Sequence, residues 1–345
     1  MLRLTTYNLQ TMAQTVFDKI WNEHVVSSIA GFQDTLYIDA HLINKITSLA
    51  AFEGLRKRHI PVYRPKQTTV ISEKSFQHIP LINLSRFQLD MLTRNCNDFG
   101  LNKEEQARLD QLFPYVNYPG QTIVCDKKFS DILGALGSIA IGINELHVEQ
   151  VLATQCMLIH KPKRMKIEVN GKLAKGLEAK HISHYLLSEI AADAANGYFI
   201  EYAGDTILNL EIEGRITICK MSREIGAVGG LIAPDEKTFA YTQKNSTMIE
   251  SVTKDIAYQT ELFSDDSAVY DEVLEFDAED VGIGNYGIGL SKLMQSKPNA
   301  QSAEKIAFDT SAILSGYNDT DYLLSRLENI EEFEHSKDYK ILNED

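Results

Sequence analysis

The stretch from Pro119 to Gln155 constrains the fold of this chain more than any other. It contains Thr122–Cys125, a short apolar run with β-branched residues that predicts a buried strand. A polar turn over Asp126–Asp131 follows, and the small-residue run Ile132–Ile143 then predicts a close-packed helix. We therefore expect a strand that delivers a polar loop to a helix N-terminus, where free N–H groups favour anions.

Two lysines in that turn, Lys127 and Lys128, would place positive charge beside Ser130. The chain as a whole is acidic, with a formal net charge of −14 and a sequence pI of about 5.1. This balance argues against non-specific binding to nucleic acid or to an anionic membrane, but it allows a local basic pocket. The sequence therefore predicts a small anionic ligand, with no nucleic-acid and no membrane partner.

The cysteine pattern excludes two classes of small domain. The four cysteines are widely spaced and form no C-x-x-C pair, which fits neither a disulfide framework nor a zinc ribbon. No apolar run approaches the roughly 18 residues that a membrane-spanning helix needs. The N-terminus also lacks the apolar core of a signal peptide. These features predict a cytoplasmic protein.

Three further segments are informative: LYIDAHLINKITSLAAFEGLR, VLATQ and GRITICKMSREIGAVGGLIAPDEKTFAY. They closely resemble the large subunit of 3-isopropylmalate dehydratase, in the aconitase superfamily. The resemblance covers about 12–290 and is strongest over 119–156 and 197–241. It implies an α/β fold built from aconitase-like α/β/α domains.

The resemblance also implies a division of the chain. We expect an N-terminal extension over 1–11, a first aconitase-like domain over 12–162 and a second over 163–243. Residues 244–345 would form an acidic C-terminal segment, the remnant of a cluster-bearing third domain that is truncated or replaced.

Members of this superfamily are hydro-lyases that use a [4Fe-4S] cluster to move a hydroxyl between neighbouring carbons of a small polycarboxylate. Where the family has Cys-Gly-Asp-Ser-His-Thr, this chain has Cys-Asp-Lys-Lys-Phe-Ser over 125–130. The family's catalytic Asp-Ser-His thus corresponds to Lys127, Lys128 and Phe129. The frame around the loop is kept while its catalytic residues differ.

A second family motif, Asp-His-Asn at a strand end, corresponds here to Glu73, Lys74 and Ser75. Glutamate keeps a carboxylate, whereas lysine replaces a group that titrates near neutrality with a permanent cation. The alternative interpretation is a solvated strand end. The family's cluster cysteines lie in its C-terminal part, and this chain has no cysteine after Cys219. We therefore expect no iron–sulfur cluster and no other cofactor.

One segment keeps a functional position of the family. Glu224 falls on a glutamate that the family places near its substrate, and Lys220 falls on the corresponding asparagine. The two are four residues apart, so a helix puts them on one face. Either they form an ion pair with each other or they line a pocket, and the sequence leaves both interpretations open.

Other candidates favour structural explanations. His41 matches a family histidine but is expected to be structural, and His181 and His184 are expected to be solvated helix residues. The G-x-G-x-x-G over 282–287 is interrupted by acidic residues before it and by proline after it. We interpret it as a glycine loop rather than a dinucleotide site.

The sequence supports three functional hypotheses. In the first, the chain binds or transforms a small carboxylate without a metal: Lys127, Lys128 and Glu224 are the catalytic candidates, and Glu73, Lys74, Ser130 and Lys220 bind substrate. In the second, it is a non-catalytic partner of a small swivelling subunit or of a large-subunit homologue. In the third, it is a working dehydratase whose cluster another chain completes. The product of a decaying gene is a further alternative.

Overall fold

The computed structural model describes residues 13–28, 33–43, 48–70, 86–103, 119–127, 129–245, 261–282 and 320–336. Within these ranges the strands are β1 (Val25–Ser28), β2 (Asp34–Tyr37), β3 (Ala40–Ile43), β4 (Thr68–Val70), β5 (Asn102–Lys103), β6 (Thr122–Cys125), β7 (Ile139–Gly142), β8 (Cys156–Ile159), β9 (Lys163–Asn170), β10 (Tyr198–Ala203), β11 (Gly229–Ile232) and β12 (Glu272–Asp277). The helices are α1 (Val16–His24), α2 (Ser48–Arg58), α3 (Arg86–Phe99), α4 (Ser130–Gly134), α5 (Glu145–Thr154), α6 (Ala179–Glu189), α7 (Asp205–Leu208), α8 (Ile212–Glu224), α9 (Glu236–Asn245), α10 (Thr320–Leu324) and α11 (Leu327–Ser336). None of these helices is long and apolar enough to cross a membrane.

The first sheet has five parallel strands in the order β5-β4-β3-β6-β7. Strands β3, β4, β6 and β7 are buried at every residue. Near-continuous burial of this kind is typical of a parallel sheet covered on both faces. The strand predicted over Thr122–Cys125 is therefore confirmed, and it lies inside the sheet between β3 and β7.

The second sheet is also parallel, in the order β11-β10-β9-β12. Helix α6 connects β9 to β10, and α8 lies between β10 and β11 in the chain. Crossover helices are the usual way to join neighbouring parallel strands. Ile182 and Leu186 of α6 share one buried cluster with Ile218 of α8. The α/β fold expected from the sequence is thus observed in both parallel sheets.

A small antiparallel sheet, β1-β2-β8, forms the third layer of strands. Helix α1 leads directly into it, and the side chain of Thr15 caps this helix by accepting a hydrogen bond from the backbone N–H of Asp18. Trp21 on α1 donates its indole N–H to Asp34 at 2.8 Å. The spacing of Val16, Ile20 and Trp21 over Thr15–His24 predicts an amphipathic helix at this position, and the structure confirms it with these three side chains buried.

The helix predicted over Ile132–Ile143 is wrong. Helix α4 ends at Gly134, and β7 occupies Ile139–Gly142. Gly137 has a φ of +77°, which turns the chain between the two elements. Strand β7 then pairs with β6 along all four residues. Small residues suit a buried strand as well as a helix. A strand forms here because it can pair with the free edge of β6. The five-residue α4 does not provide the helix N-terminus that we expected to favour anions.

Glycines allow the two parallel sheets to touch. A Cβ on Gly134 of α4 would lie 1.9 Å from the carbonyl oxygen of Gly230 in β11. One on Gly229 would lie 2.9 Å from the carbonyl oxygen of Ala140 in β7. Side chains are not tolerated at these distances, so glycine is required for the backbones to approach. The contact holds the loop after β6 against the second sheet.

Candidate functional site

The candidate site begins where β6 ends, in the loop that carries Lys127. The Lys127 side chain is exposed, but its stem lies on the end of β7: a Cβ on Gly142 would be 2.5 Å from its Cγ. The Ser130 hydroxyl donates to the carbonyl oxygen of Lys127 at 3.1 Å. Ser130 therefore stabilises the turn that presents Lys127 at the carboxyl edge of the first sheet.

An ion pair joins this loop to α8. Nη2 of Arg223 lies 2.8 Å from Oδ2 of Asp131; the Asp131 side chain is 2% exposed and that of Arg223 is 43% exposed. Oδ2 of Asp131 therefore faces the positive charge of Arg223 at ion-pair distance. The sequence indicates neither residue as part of a site. It predicts Asp131 only as the end of a polar turn, and no spacing connects it to Arg223.

The surroundings of Asp131 change its acidity. Burial raises the pKa of Asp131 to about 7, although the positive charges of Arg223 and Lys220 oppose the shift. The cause is that a buried carboxylate loses the water that would solvate its charge. An acid with a pKa near 7 can give or take a proton at neutral pH, which is what general acid–base chemistry requires. Perturbed pKa values in such positions mark functional candidates.

Lys220 and Glu224 both lie on α8, as the sequence predicted. Both side chains are exposed, and the ion pairs of the described residues include none between these two. The charge of Lys220 acts on Asp131, and the charge of Glu224 acts on Tyr202, which neighbours Asp131 as well. The ion pair that the spacing allowed is therefore not formed, and the role of these residues in a pocket stays a prediction.

The structure brings only some of the predicted site residues together. Ser130 adjoins the Asp131–Arg223 pair in sequence, Lys220 acts on it, and Lys127 precedes Asp131 by four residues in the same loop. Three candidates lie outside the described residues: Glu73, Lys74 and Lys128.

The histidines singled out in the sequence lie elsewhere. His41 is fully buried in β3, and burial lowers its pKa to about 3, so the ring is neutral. His181 accepts a hydrogen bond from the backbone N–H of Glu178 at 2.9 Å and so caps α6. In the described ranges, no three His, Cys, Asp or Glu side chains are grouped so that they could hold a metal ion. Of the G-x-G-x-x-G, only Gly282 lies in those ranges.

We expect Asp131→Asn to stabilise the protein at pH 8 and to leave its stability near pH 4 little changed. The folded pKa is raised above the ordinary 3.8. The stability that this group contributes is thus fully present below about pH 4 and is lost as the pH rises through about 7. Asparagine keeps the shape of the side chain and removes the buried charge, a gain of about 2 kcal/mol or more at pH 8.

Urea unfolding at both pH values measures this effect. Asp193→Asn, which changes an exposed carboxylate on the surface, is the matched control and should have no such pH-dependent effect. A loss of stability in Asp131→Asn at pH 8 would mean that the attraction of Arg223 outweighs the cost of burial.

The protein is therefore of the α/β class. Its two parallel sheets touch through glycine backbones, and the Asp131–Arg223 pair joins the loop after β6 to α8. The sequence profile described as "Aconitase family (aconitate hydratase)" matches residues 18–284. This is more than half of the 345 residues, so the chain belongs to the aconitase family. The resemblance inferred from the motifs is confirmed.

Individual relatives give a more specific similarity than the family match does. The chain is 41% identical to the 3-isopropylmalate dehydratase large subunit of Cytophaga hutchinsonii, over 91% of this chain and 72% of that protein. Identity to the protein of the same name is 36% in Flavobacterium johnsoniae, with the same coverage, and 37% in Bacteroides thetaiotaomicron, over 90% and 72%. Aconitase X of Thermococcus kodakaraensis, solved in its holo-form, matches at a TM-score of 0.37 and 10% identity, over 72% of this chain and 59% of that one. This last similarity is too weak to support a conclusion.

The expectation that the protein takes no cofactor is contradicted. The chain belongs to a family whose members are normally [4Fe-4S] proteins. The described cysteines do not themselves fit such a cluster, because they are free and buried on four different elements: Cys96, Cys125, Cys156 and Cys219. Burial raises the thiol pKa of the last three, whereas cluster ligands are thiolates. The chain spans 72% of the Cytophaga hutchinsonii relative, so these cysteines do not decide which residues hold the family's cluster. The predicted domain boundaries, the truncated third domain among them, stay predictions.

Proposed function

We propose that this protein is a large-subunit-type dehydratase component that binds a small carboxylate where the loop after β6 meets α8. The observation that carries the proposal is the Asp131–Arg223 pair, with Lys220 acting on the same carboxylate. A cation-lined junction of this kind stands out in a chain with a net charge of −14. Guanidinium groups match carboxylates in shape and charge, so Arg223 suits such a ligand.

The residues of the proposed site have different chemical roles. Arg223 and Lys220 attract and orient the ligand carboxylate, and the Asp131 carboxyl group, whose pKa lies near 7, holds or releases a proton beside it. Lys127 adds a cation from the loop, in a turn that Ser130 stabilises. Glu224 offers a second, exposed carboxylate on α8. The catalytic roles of Lys127, Lys128 and Glu224, and the binding roles of Glu73 and Lys74, are part of this proposal.

Binding of isopropylmalate, malate and citrate tests the proposal, by calorimetry and by the shift of the melting temperature. We expect Lys220→Met to weaken carboxylate binding about fivefold, the effect of roughly 1 kcal/mol of lost attraction. Lys175→Met removes an exposed lysine from the loop between β9 and α6 and serves as the control, with unchanged affinity. No response to any of the three acids, or equal effects of the two substitutions, would count against the site.

A second candidate function is that of a partner within a dehydratase complex. This candidate is supported by the names of the relatives, which are large subunits, a term that implies a second, smaller subunit. The experiment is purification from the native host at low ionic strength. We expect a small-subunit polypeptide to co-purify, and a protein that always elutes as a lone monomer would reject this function.

A further inference from the structure

We infer that Asp131 competes with the ligand carboxylate for the charge of Arg223, and that a ligand binds beside it at Arg223 only when Asp131 takes up a proton. This inference rests on the proposed carboxylate site and gives it a mechanism of regulation by pH. It also assigns Arg223, rather than a lysine of the loop, as the residue that selects a carboxylate.

The geometry leaves Arg223 available to a ligand. Only one edge of its guanidinium is engaged, with Nη2 at 2.8 Å from Oδ2 of Asp131. Among the described residues, no hydrogen bond or second ion pair is recorded for its other N–H groups, and 43% of the side chain is exposed. A guanidinium has five N–H donors in a fixed fork, which a carboxylate fills in a bidentate manner. The internal contact is therefore a partial match that a ligand can improve on.

Asp131 itself cannot leave when a ligand arrives. Its side chain is 2% exposed, and α4 is held against β11 by the contact between Gly134 and Gly230. A second carboxylate on Arg223 would then face a buried charge of the same sign. Like charges that share a site cannot both stay ionised at little cost, so one of them accepts a proton.

In the part of the chain that the structure describes, no other group near Asp131 can offset the charge of a second carboxylate by changing its own protonation. The groups around Asp131 are Ser130 on its own helix, Cys125 of β6, Tyr202 of β10, and Cys219, Lys220 and Arg223 of α8. Burial raises the pKa of both thiols and of the phenol, so these three groups stay neutral. Lys220 and Arg223 are already cations, which leaves Asp131 as the group that changes its charge.

The proposed linkage between ligand binding and proton uptake predicts how the affinity for a carboxylate changes with pH. Below about pH 7 the Asp131 carboxyl is already protonated in the free protein, and the affinity for a carboxylate is independent of pH. Above that pH the ligand must bring a proton with it, so the affinity falls by up to tenfold for each pH unit. Malate and isopropylmalate suit the measurement because ordinary carboxyl groups, with pKa values of about 4, stay ionised from about pH 6.5 upwards.

Calorimetric titration of the full chain with malate and with isopropylmalate tests this at pH 8, in imidazole and in Tris. Neither buffer has an anionic form at this pH, so neither competes with the carboxylate for the site, and their ionisation enthalpies differ. The difference in the heat of binding counts the protons taken up. We expect the wild-type protein to take up nearly one proton per ligand, and Asp131→Asn to take up none while binding about tenfold more tightly at pH 8. Asp193→Asn should retain the wild-type proton count.

Arg223→Gln provides the second variant and should weaken binding at both pH 6 and pH 8. Equal proton counts for wild type and Asp131→Asn would overturn the inference and leave the carboxylate site standing. Unchanged affinity in Arg223→Gln would overturn both the inference and the role of Arg223 in that site. Absence of binding by either acid in the wild-type protein at pH 6 would overturn the inference and the proposed function together.

Discussion

Alanine in place of Gly134 is expected to destabilise the protein by about 3 kcal/mol or more. The added Cβ would lie 1.9 Å from the carbonyl oxygen of Gly230, and the obstacle is backbone, which cannot rotate away as a side chain can. The two parallel sheets must therefore separate locally. This movement pulls Asp131 away from Arg223, because Asp131 lies on the same short helix as Gly134.

A matched control separates this clash from the general effect of alanine in a helix. Gly214 lies within α8, and the nearest atoms to a Cβ there, outside the backbone of α8 itself, are side-chain atoms of Ala179 and Leu210 at 3.3–3.5 Å. The better helix propensity of alanine offsets this mild crowding, so Gly214→Ala should stay within about 1 kcal/mol of wild type. Urea unfolding of both variants is the measurement. Equal stability of the two variants would show that the sheets accommodate a methyl group at their junction.

Methionine in place of Arg64 is expected to cost about 3–5 kcal/mol, the effect of leaving a buried charge without its partner. Glu334 on α11 is 1% exposed, and its carboxylate forms an ion pair with Arg64, whose Nε lies 3.1 Å from Oε1 of Glu334. The Tyr37 hydroxyl donates to the same oxygen at 2.9 Å. Burial, with Glu334 adding to it, raises the pKa of Tyr37 well above its ordinary value, so the phenol keeps its proton.

The double variant Arg64→Met with Glu334→Leu tests whether the loss comes from the unpaired charge. Apolar residues of similar volume often replace a buried ion pair at little cost, so the double variant should recover most of the stability lost in Arg64→Met. Hydrogen exchange across α11 measures whether the loss is local, since α10 and α11 pack on the small antiparallel sheet through Leu323 and Ile330. Loss of stability in the double variant equal to that in Arg64→Met would contradict this explanation.

Local sequence patterns were sufficient for individual elements. The β-branched run at Thr122–Cys125 predicted β6, and the apolar spacing after Thr15 predicted α1. The family was also evident from short motifs, and the match to residues 18–284 confirms it. These features depend on side chains that are close together in the chain, so the sequence displays them directly.

The sequence patterns gave a wrong prediction where a contact between residues far apart in the chain determines the secondary structure. The run after Gly134 has the small residues of a close-packed helix, yet β7 forms there because β6 offers an edge to pair with. The expected absence of a cofactor rests on the lack of any cysteine after Cys219 to match the family's C-terminal cluster cysteines, and membership of a normally cluster-containing family contradicts it. Cysteine spacing reports only on ligands within the same stretch of chain.

The sequence by itself determined the α/β class, the family and the lysines of the loop after β6, because local periodicity and motif identity need no partner in space. Only the tertiary structure decided that Asp131 faces Arg223, since 92 residues separate them and the contact exists because two sheets meet at glycine backbones. Burial at this meeting point gives Asp131 its acidity near pH 7. Desolvation depends on every neighbour at once, so a residue's position in the chain does not reveal it.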